Sequence, residues 1–417
     1  MGRWTTGIAR VLAAVAKPVR SAQGHRGVVL EPYRGYGSRS EIFLIGRVFR
    51  QSRSASPHDT GLRSQIRDSL RRLVRRSVAG AVVTARFGGT EERVTTDRDG
   101  YFRIHLHPRD EPSTASMWHQ VDLSLEQPHR VEARAEVIIP PPHCRFVVIS
   151  DIDDTVMETG VANKLQMVWR LFVERADSRL AFPGVAALYQ AFHEGRSGGE
   201  GNPILYVSRA PWGIYAILEE FFRLHRIPIG PVLFLREWGV SWKSPLPRKA
   251  TTHKRDLILN MLTLYRDLPF VLIGDSGQHD PEVYREIVEE YPGRVLTVYI
   301  RNVTRNPRRT LEIEALAAAV AAAGSSLVLA TTSVAMAEHA AGLGLVAPDA
   351  IAAVADERVL QSEEGGLEKT LHLRRGPADG PASTGELKQV LDGSREGPLP
   401  NVVVEATDGE RKNPSER

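Results

Sequence analysis

Phe146-Val147-Val148-Ile149-Ser150-Asp151-Ile152-Asp153-Asp154-Thr155 decides the fold. An apolar run of this kind reads as a strand buried on both faces, and such strands belong to parallel sheets covered by helices. Three carboxylates follow at once. In an open α/β sheet, ligands bind beyond the carboxyl ends of the strands. Acids packed there repel one another and lose hydration unless a cation or a proton neutralises them. Asp and Thr also start helices readily, which would account for one acid but not for three.

The pattern repeats on both sides of this stretch. From Arg145 onward, runs dense in Val, Ile and Leu predict strands at Arg145–Ser150, Pro203–Val207, Val232–Leu235, Phe270–Ile273, Val295–Ile300 and Leu327–Ala330. Amphipathic segments separate them, among them Gly184–His193, Trp212–Leu224, Thr252–Tyr265 and Pro281–Glu290. Alternating β and α of this kind predicts an α/β domain with a doubly wound, Rossmann-like parallel sheet over 143–345.

A second apolar run ends in acids at Phe270-Val271-Leu272-Ile273-Gly274-Asp275-Ser276-Gly277-Gln278-His279-Asp280. Asp275 is placed to complete a carboxylate set for a hard divalent cation, Mg²⁺ being the natural occupant of oxygen-only ligands. Gly274 and Gly277 are expected to let the backbone turn sharply. Asp280 has two readings: a metal or ligand contact, or the cap of a helix beginning at Pro281. Of Asp151 and Asp153, one can attack phosphorus while the other gives a proton to the leaving oxygen, and Thr155 can hold the phosphate or the loop.

Between these motifs, Ile204-Leu205-Tyr206-Val207-Ser208 ends a strand in a hydroxyl that can donate to a phosphoryl oxygen. Lys254, near the start of a helix, can neutralise charge on a transferring phosphoryl group. Taken singly, Ser208 reads as a helix cap and Lys254 as a surface lysine.

Upstream, residues 25–142 read as a small, mainly β, sandwich-like domain. Short runs at Glu41–Val48, Gly80–Arg86, Glu92–Thr95, Phe102–His105, Gln120–Leu125 and Val131–Ile139 alternate with turn signals. Asp99-Gly100 is a hairpin signal. An Arg-rich segment, 61–77, interrupts the strands, with Ile66, Leu70, Leu73 and Val74 on one helical face. Pro140-Pro141-Pro142 marks the domain boundary.

Residues 1–24 carry a basic amphipathic helix, with Trp4, Ile8, Val11, Leu12, Val15 and Val19 at helical spacing and cations between them. It either packs on the body of the protein or lies in a membrane interface. Arg10 and Lys17 break its apolar run, so no signal peptide is expected. Residues 346–417 form a helical and then polar tail, expected to be disordered after about 365.

The 417 residues carry a formal net charge of +4 and a single cysteine, Cys144. That excludes an internal disulfide framework and a four-cysteine zinc site, and points to a reducing compartment. No apolar run reaches the roughly eighteen residues of a membrane span. The basic stretches are solvated faces or phosphate-attracting patches; no nucleic-acid partner is expected.

In order along the chain, Asp-x-Asp-x-Thr, Ser, Lys and Gly-Asp-x-x-x-x-Asp resemble the haloacid-dehalogenase-like phosphatase superfamily. The longer words Asp151-Ile-Asp-Asp-Thr155, Tyr206-Val-Ser-x-x-Pro-Trp212, His253-Lys254 and Gly274-Asp-Ser-Gly-Gln-His-Asp-Pro-Glu-x-Tyr284 resemble the catalytic domain of actin-patch-protein type phosphatidate phosphatases. Pro32-Tyr-Arg-Gly-Tyr36 and Gly46-Arg-Val48 are similar to that family's N-terminal part, and the likeness covers about residues 28–345. The resemblance implies Asp151 as nucleophile and metal ligand, and Asp153 as general acid/base that also offers its carbonyl to the metal. It implies Ser208 and Lys254 as phosphoryl-binding residues, Asp275 as a ligand of Mg²⁺, and Asp280 as the second acid of the last motif. The family's short polar residues after the motif Ser are replaced here by Arg209 and Ala210.

The function expected is a Mg²⁺-dependent phosphatase that works through an aspartyl-phosphate. Its expected substrate is phosphatidate, with diacylglycerol and phosphate as products. It would act in the cytoplasm or peripherally at an anionic membrane. Two rivals are a phosphatase of a soluble phosphomonoester and a non-catalytic lipid- or phosphate-binding module. The acids weigh against the latter, since a binder gains nothing from negative charge at a phosphate site.

Overall fold

The computed structural model describes residues 22–23, 27–50, 76–127, 130–152, 183–208, 212, 215–234, 250–304, 306–360 and 402–404. The expected N-terminal helix, the apolar face Ile66 to Val74, and Asp153, Thr155 and Arg209 lie outside the described residues. So does the tail after 360, apart from 402–404.

The first sheet is antiparallel except for one pair. Its strands are β1 (Ala22–Gln23), β2 (Val28–Pro32), β3 (Gly35–Gly37), β4 (Ile42–Arg50) and β5 (Arg76–Ser77). They are followed by β6 (Val82–Phe87), β7 (Thr90–Thr95), β8 (Tyr101–Leu106), β9 (Trp118–Leu125) and β10 (Val131–Ile138). These ten strands form one hydrogen-bonded network in the order β1-β2-β4-β3-β10-β9-β6-β7, with β5 and β8 both on β4. Alternation drives this pleating: along β8, Phe102, Ile104 and Leu106 are buried while Arg103 and His105 face water. Side chains from β2, β4 and β8 meet those from β6, β9 and β10 in one apolar interior. The mainly β expectation therefore holds: the β2, β4 and β8 group and the β6, β9 and β10 group, joined through β3, face one another across this core.

The turn at Asp99-Gly100 forms, with Gly100 at φ 79° and the Asp97 N–H donating to the Tyr101 carbonyl at 2.8 Å. It does not make a hairpin ladder. β7 pairs with β6 and β8 with β4, so the turn carries the chain from one half of the sheet to the other. The end of the Arg-rich segment is likewise extended, Arg76–Ser77 pairing with β4.

The second sheet is built from β11 (Val147–Asp151), β12 (Ile204–Ser208), β13 (Val232–Phe234), β14 (Phe270–Asp275), β15 (Val295–Arg301), β16 (Leu327–Ala330) and β17 (Val402–Val404). The order is β13-β12-β11-β14-β15-β16-β17, parallel except for the antiparallel pair β16 with β17. The helices are α1 (Val185–Glu194), α2 (Tyr215–Leu224), α3 (Ala250–Leu264), α4 (Asp280–Glu290), α5 (Pro307–Ala322) and α6 (Ser333–Gly342). Residues 350–360 are also helical.

Successive side chains of each strand enter opposite cores. Val148, Tyr206 and Val271 face Leu188 and Phe192 of α1, Leu218 and Phe222 of α2, and Met336 of α6. Val147, Ile149, Leu205 and Leu272 face Ile258 and Met261 of α3, Ile287 of α4 and Ile313 of α5. The chain leaves β11 for β12 and β13 on one side, then returns to β14 on the other. The strand order thus reverses between β11 and β14, where an open α/β sheet places its ligand crevice.

The two sheets share these cores. The segment Pro32-Tyr33-Arg34-Gly35-Tyr36, from the end of β2 into β3, sends Tyr33 into one and Tyr36 into the other. Tyr33 stacks on Trp212 at 4.7 Å between ring centroids. The Arg34 N–H donates to the Tyr215 hydroxyl at 2.8 Å, and its guanidinium pairs with Glu219 and, at 3.0 Å, with Glu136. Burial raises the Glu219 pKa from the ordinary glutamate value, and Arg34 opposes that.

Candidate active site

Four adjacent parallel strands end side by side in polar residues. Ser208 ends β12, Asp151 ends β11, Asp275 ends β14 and Arg301 ends β15. Asp151 is in register with Val207, and Asp275 with Arg301. The reason is local: apolar residues fill each strand until it leaves the core, and the next residue meets whatever the sheet's carboxyl edge holds.

Two helices complete the cluster from below. Lys254, in the second turn of α3, is 1% exposed, so the surface-lysine reading is overturned. Its Nζ donates to Asp280 and lies 2.9 Å from Asp151 Oδ2. Asp280 opens α4, also 1% exposed. It does not cap that helix, whose N-cap position is His279. Its carboxylate accepts instead from Lys254 and, at 3.2 Å, from the Asp275 N–H.

The turn after β14 wraps around Asp275. Asp275 Oδ1 accepts from the N–H groups of Gly277 at 2.8 Å and Gln278 at 3.1 Å. The Gln278 side-chain amide bridges the strand ends, donating at 3.2 Å to both Asp151 Oδ2 and Asp275 Oδ2. Gly274 and Gly277 serve here through lack of bulk: neither has a positive φ. A Cβ at Gly274 would collide with the Asp280 carboxylate, and one at Gly277 would lie 3.3 Å from Asp275 Oδ1.

One oxygen from each of Asp151, Asp275 and Asp280 lies within 4.8 Å of the other two. Burial drives the Asp151 carboxyl well above the ordinary carboxylate range; Lys254 opposes this, and Asp280 and Asp275 add to it. Burial also works against the charge on Lys254, but Asp151 and Asp280 outweigh it and hold the ammonium above the ordinary lysine value. The donors are all oxygen and close together, a set that suits a hard divalent cation such as Mg²⁺.

A small cleft opens beside Asp151 and Asp275. Val185, Leu188 and Met336 give it an apolar wall, and Tyr189 and Arg301 a polar one. The Tyr189 hydroxyl lies 2.7 Å from Ser150 Oγ. Of the residues expected from the sequence, Asp151, Lys254, Asp275 and Asp280 are in mutual contact, and Ser208 ends the neighbouring strand. Gln278, Arg301 and Tyr189 were not foreseen. Gln278 stands inside the second acidic motif and Arg301 directly after an apolar strand, so both had a readable signal. Tyr189 had none, because it comes from the middle of α1.

Residues 146–302 match the family model of the phosphatidate phosphatase APP1 catalytic domain. This stretch resembles that family's catalytic domain. Among characterised relatives, the phosphatidate phosphatase APP1 of Saccharomyces cerevisiae is 28% identical over 225 residues, 52% of this chain and 35% of that protein. An uncharacterized protein of Schizosaccharomyces pombe is 28% identical over 156 residues, 37% of this chain and 25% of that protein. The chain thus spans about a third or less of the relatives it matches. Among solved structures, a carbohydrate acetylesterase from Xanthomonas citri overlaps 64% of this chain and 66% of its own at 10% identity, with a TM-score of only 0.23.

Proposed function

We propose that the protein is a Mg²⁺-dependent phosphatase that hydrolyses a lipid phosphomonoester, phosphatidate, at an anionic membrane surface reached from the cytoplasm. The observation that carries this is the buried quartet Asp151, Asp275, Asp280 and Lys254 at the carboxyl edge of the parallel sheet, within a stretch matched by the APP1 catalytic-domain family. We read the sheet as the doubly wound sheet of a haloacid-dehalogenase-like phosphatase.

Asp151, Asp275 and Asp280 would hold the Mg²⁺, with Asp153 contributing its carbonyl. When bound, the ion screens the negative charge of the phosphoryl oxygens. A carboxylate oxygen of Asp151 then attacks phosphorus, forming an aspartyl-phosphate as the bond to the lipid oxygen breaks. Asp153 gives its proton to that oxygen, so diacylglycerol leaves as an alcohol. Asp153 next takes a proton from water, which attacks phosphorus, releases phosphate and restores the Asp151 carboxylate. Lys254 neutralises part of the charge throughout, and Ser208 and Thr155 donate hydrogen bonds to the phosphoryl oxygens.

The test is phosphate release from phosphatidate in vesicles and from soluble phosphomonoesters, each with Mg²⁺ and with EDTA. The expected result is Mg²⁺-dependent release that is faster from vesicles. Release only from the soluble esters would replace the lipid with a soluble substrate, and no release from either would leave a binding module.

A further inference from the structure

Far along the first sheet, β4 and β8 carry a second cluster of ligand-type side chains. The two strands are antiparallel, with Phe43 opposite His105 and Ile42 opposite Leu106. Extending that register by one residue sets Glu41 opposite His107. Directly opposed residues share a face, and so do residues two apart on one strand. Glu41, Phe43, His105 and His107 therefore project from the same side of the sheet.

The side chains meet there. His105 Nε2 lies 3.0 Å from Glu41 Oε2. The His105 ring stacks on Phe43 at 4.2 Å and lies 4.5 Å from the ring of His107. Phe43 in turn stacks on buried Tyr36 at 5.5 Å, so this row is anchored in the core at one end and open to water at the other. His107 Nδ1 lies 3.2 Å from the Ser40 carbonyl. An Nδ1–H donated to a backbone carbonyl holds a histidine in the tautomer whose Nε2 carries the lone pair, the usual support of a metal-binding imidazole. One ligand atom from each of Glu41, His105 and His107 lies within 4.8 Å of the others.

We propose that Glu41, His105 and His107 form a second divalent-metal site, selective for a borderline transition metal such as Zn²⁺ over Mg²⁺. Two imidazoles and one carboxylate suit Zn²⁺, whereas Mg²⁺ prefers oxygen alone. Ligands around a tetrahedral Zn²⁺ sit about 2.0–2.2 Å from the ion and hence roughly 3.3 Å from one another. The 3.0 Å between His105 and Glu41 already approaches that spacing, and rotation of exposed side chains closes the remainder. The metal takes the place of the proton that His105 and Glu41 share, and water fills its open positions. Among the described residues, no hydrogen bond or ring contact of Glu41, His105 or His107 reaches the carboxylate cluster of the second sheet.

The experiment titrates the full-length protein with Zn²⁺ by calorimetry in millimolar Mg²⁺, which keeps the oxygen site saturated. Wild type is expected to take up one equivalent of Zn²⁺. The variants His105→Ala and His107→Ala are expected to lose more than the ~10–100-fold in affinity that removal of a supporting hydrogen bond costs. Asp275→Ala retains the Zn²⁺ equivalent. Thermal melts without metal confirm that the histidine variants fold. If wild type binds no stoichiometric Zn²⁺, or if the histidine variants bind it as well as wild type does, the cluster is a cross-strand hydrogen bond and the proposal fails.

Discussion

Two clusters of three ligand-type residues stand on two kinds of sheet, and they differ most in how their charge is balanced. At the edge of the parallel sheet, Asp151, Asp275 and Asp280 are buried and crowd a buried ammonium. On the antiparallel sheet, His105 and His107 stand open to water beside a half-buried Glu41. Removing a charge from water costs several kcal/mol even after the surroundings relax, so the buried cluster needs partners to exist at all. The exposed cluster keeps its hydration and needs none. Burial thus makes the first set a structural commitment, a demand that exposure does not place on the second.

Substitutions can break or sharpen that contrast. The largest effect is expected from Asp151→Asn, since an amide cannot attack phosphorus: activity should fall by at least about 10³-fold. The melting temperature should stay near wild type or rise, because a buried, crowded carboxylate is neutralised without a change of shape. Phosphate-release assays beside thermal melts check both parts. Activity near wild type would move the nucleophile elsewhere.

Lys254→Met tests the structural commitment. It removes the one ammonium shared by Asp151 and Asp280 and leaves buried carboxylates uncompensated. The expected loss is about 3–5 kcal/mol, read by denaturant unfolding. Saturating Mg²⁺ should return part of it by linkage. A variant as stable as wild type without metal would mean that the buried acids are protonated and need no counter-charge.

Gly274→Ala adds one methyl where the Asp280 carboxylate lies. Overpacking of this kind costs about 1–3 kcal/mol. Because the displaced group is part of the cluster, Mg²⁺ affinity should fall with stability. Isothermal titration with Mg²⁺ separates that from general loosening: a destabilised protein with unchanged affinity would take Asp280 out of the metal set.

The smallest effect is expected from His107→Ala, which should change the unfolding free energy in EDTA by less than about 0.5 kcal/mol. A larger loss would show that the exposed cluster carries structural load after all, and would erase the contrast between the two sheets.

Much of this was legible in the chain. Apolar runs long enough for strands but too short for helices named the parallel strands to within one or two residues, and Leu327–Ala330 to the residue. That succeeded because a strand buried on both faces admits almost no polar residue, so its ends are written in composition. The acids after β11 and β14 were visible for the same reason: polarity resumes where burial stops. Among the strands that were missed, β2 and β3 flank Tyr33-Arg34, and Pro32, Arg34 and two glycines hide the extended backbone there.

Lys254 and Tyr189 show what the chain alone could not decide. On a helix, a lysine reads as exposed, because burying an ammonium is unfavourable unless a carboxylate meets it. Only the packing of α3 against the sheet brings Asp151 and Asp280 to that nitrogen. Nothing local marks Tyr189 either, until α1 lies across β11 and sets its hydroxyl beside Ser150. The order of residue types along the chain determined which groups were available at the strand ends. Which of them share a charge, and which share a cleft, depended on distances that arise only when strands remote in sequence become neighbours.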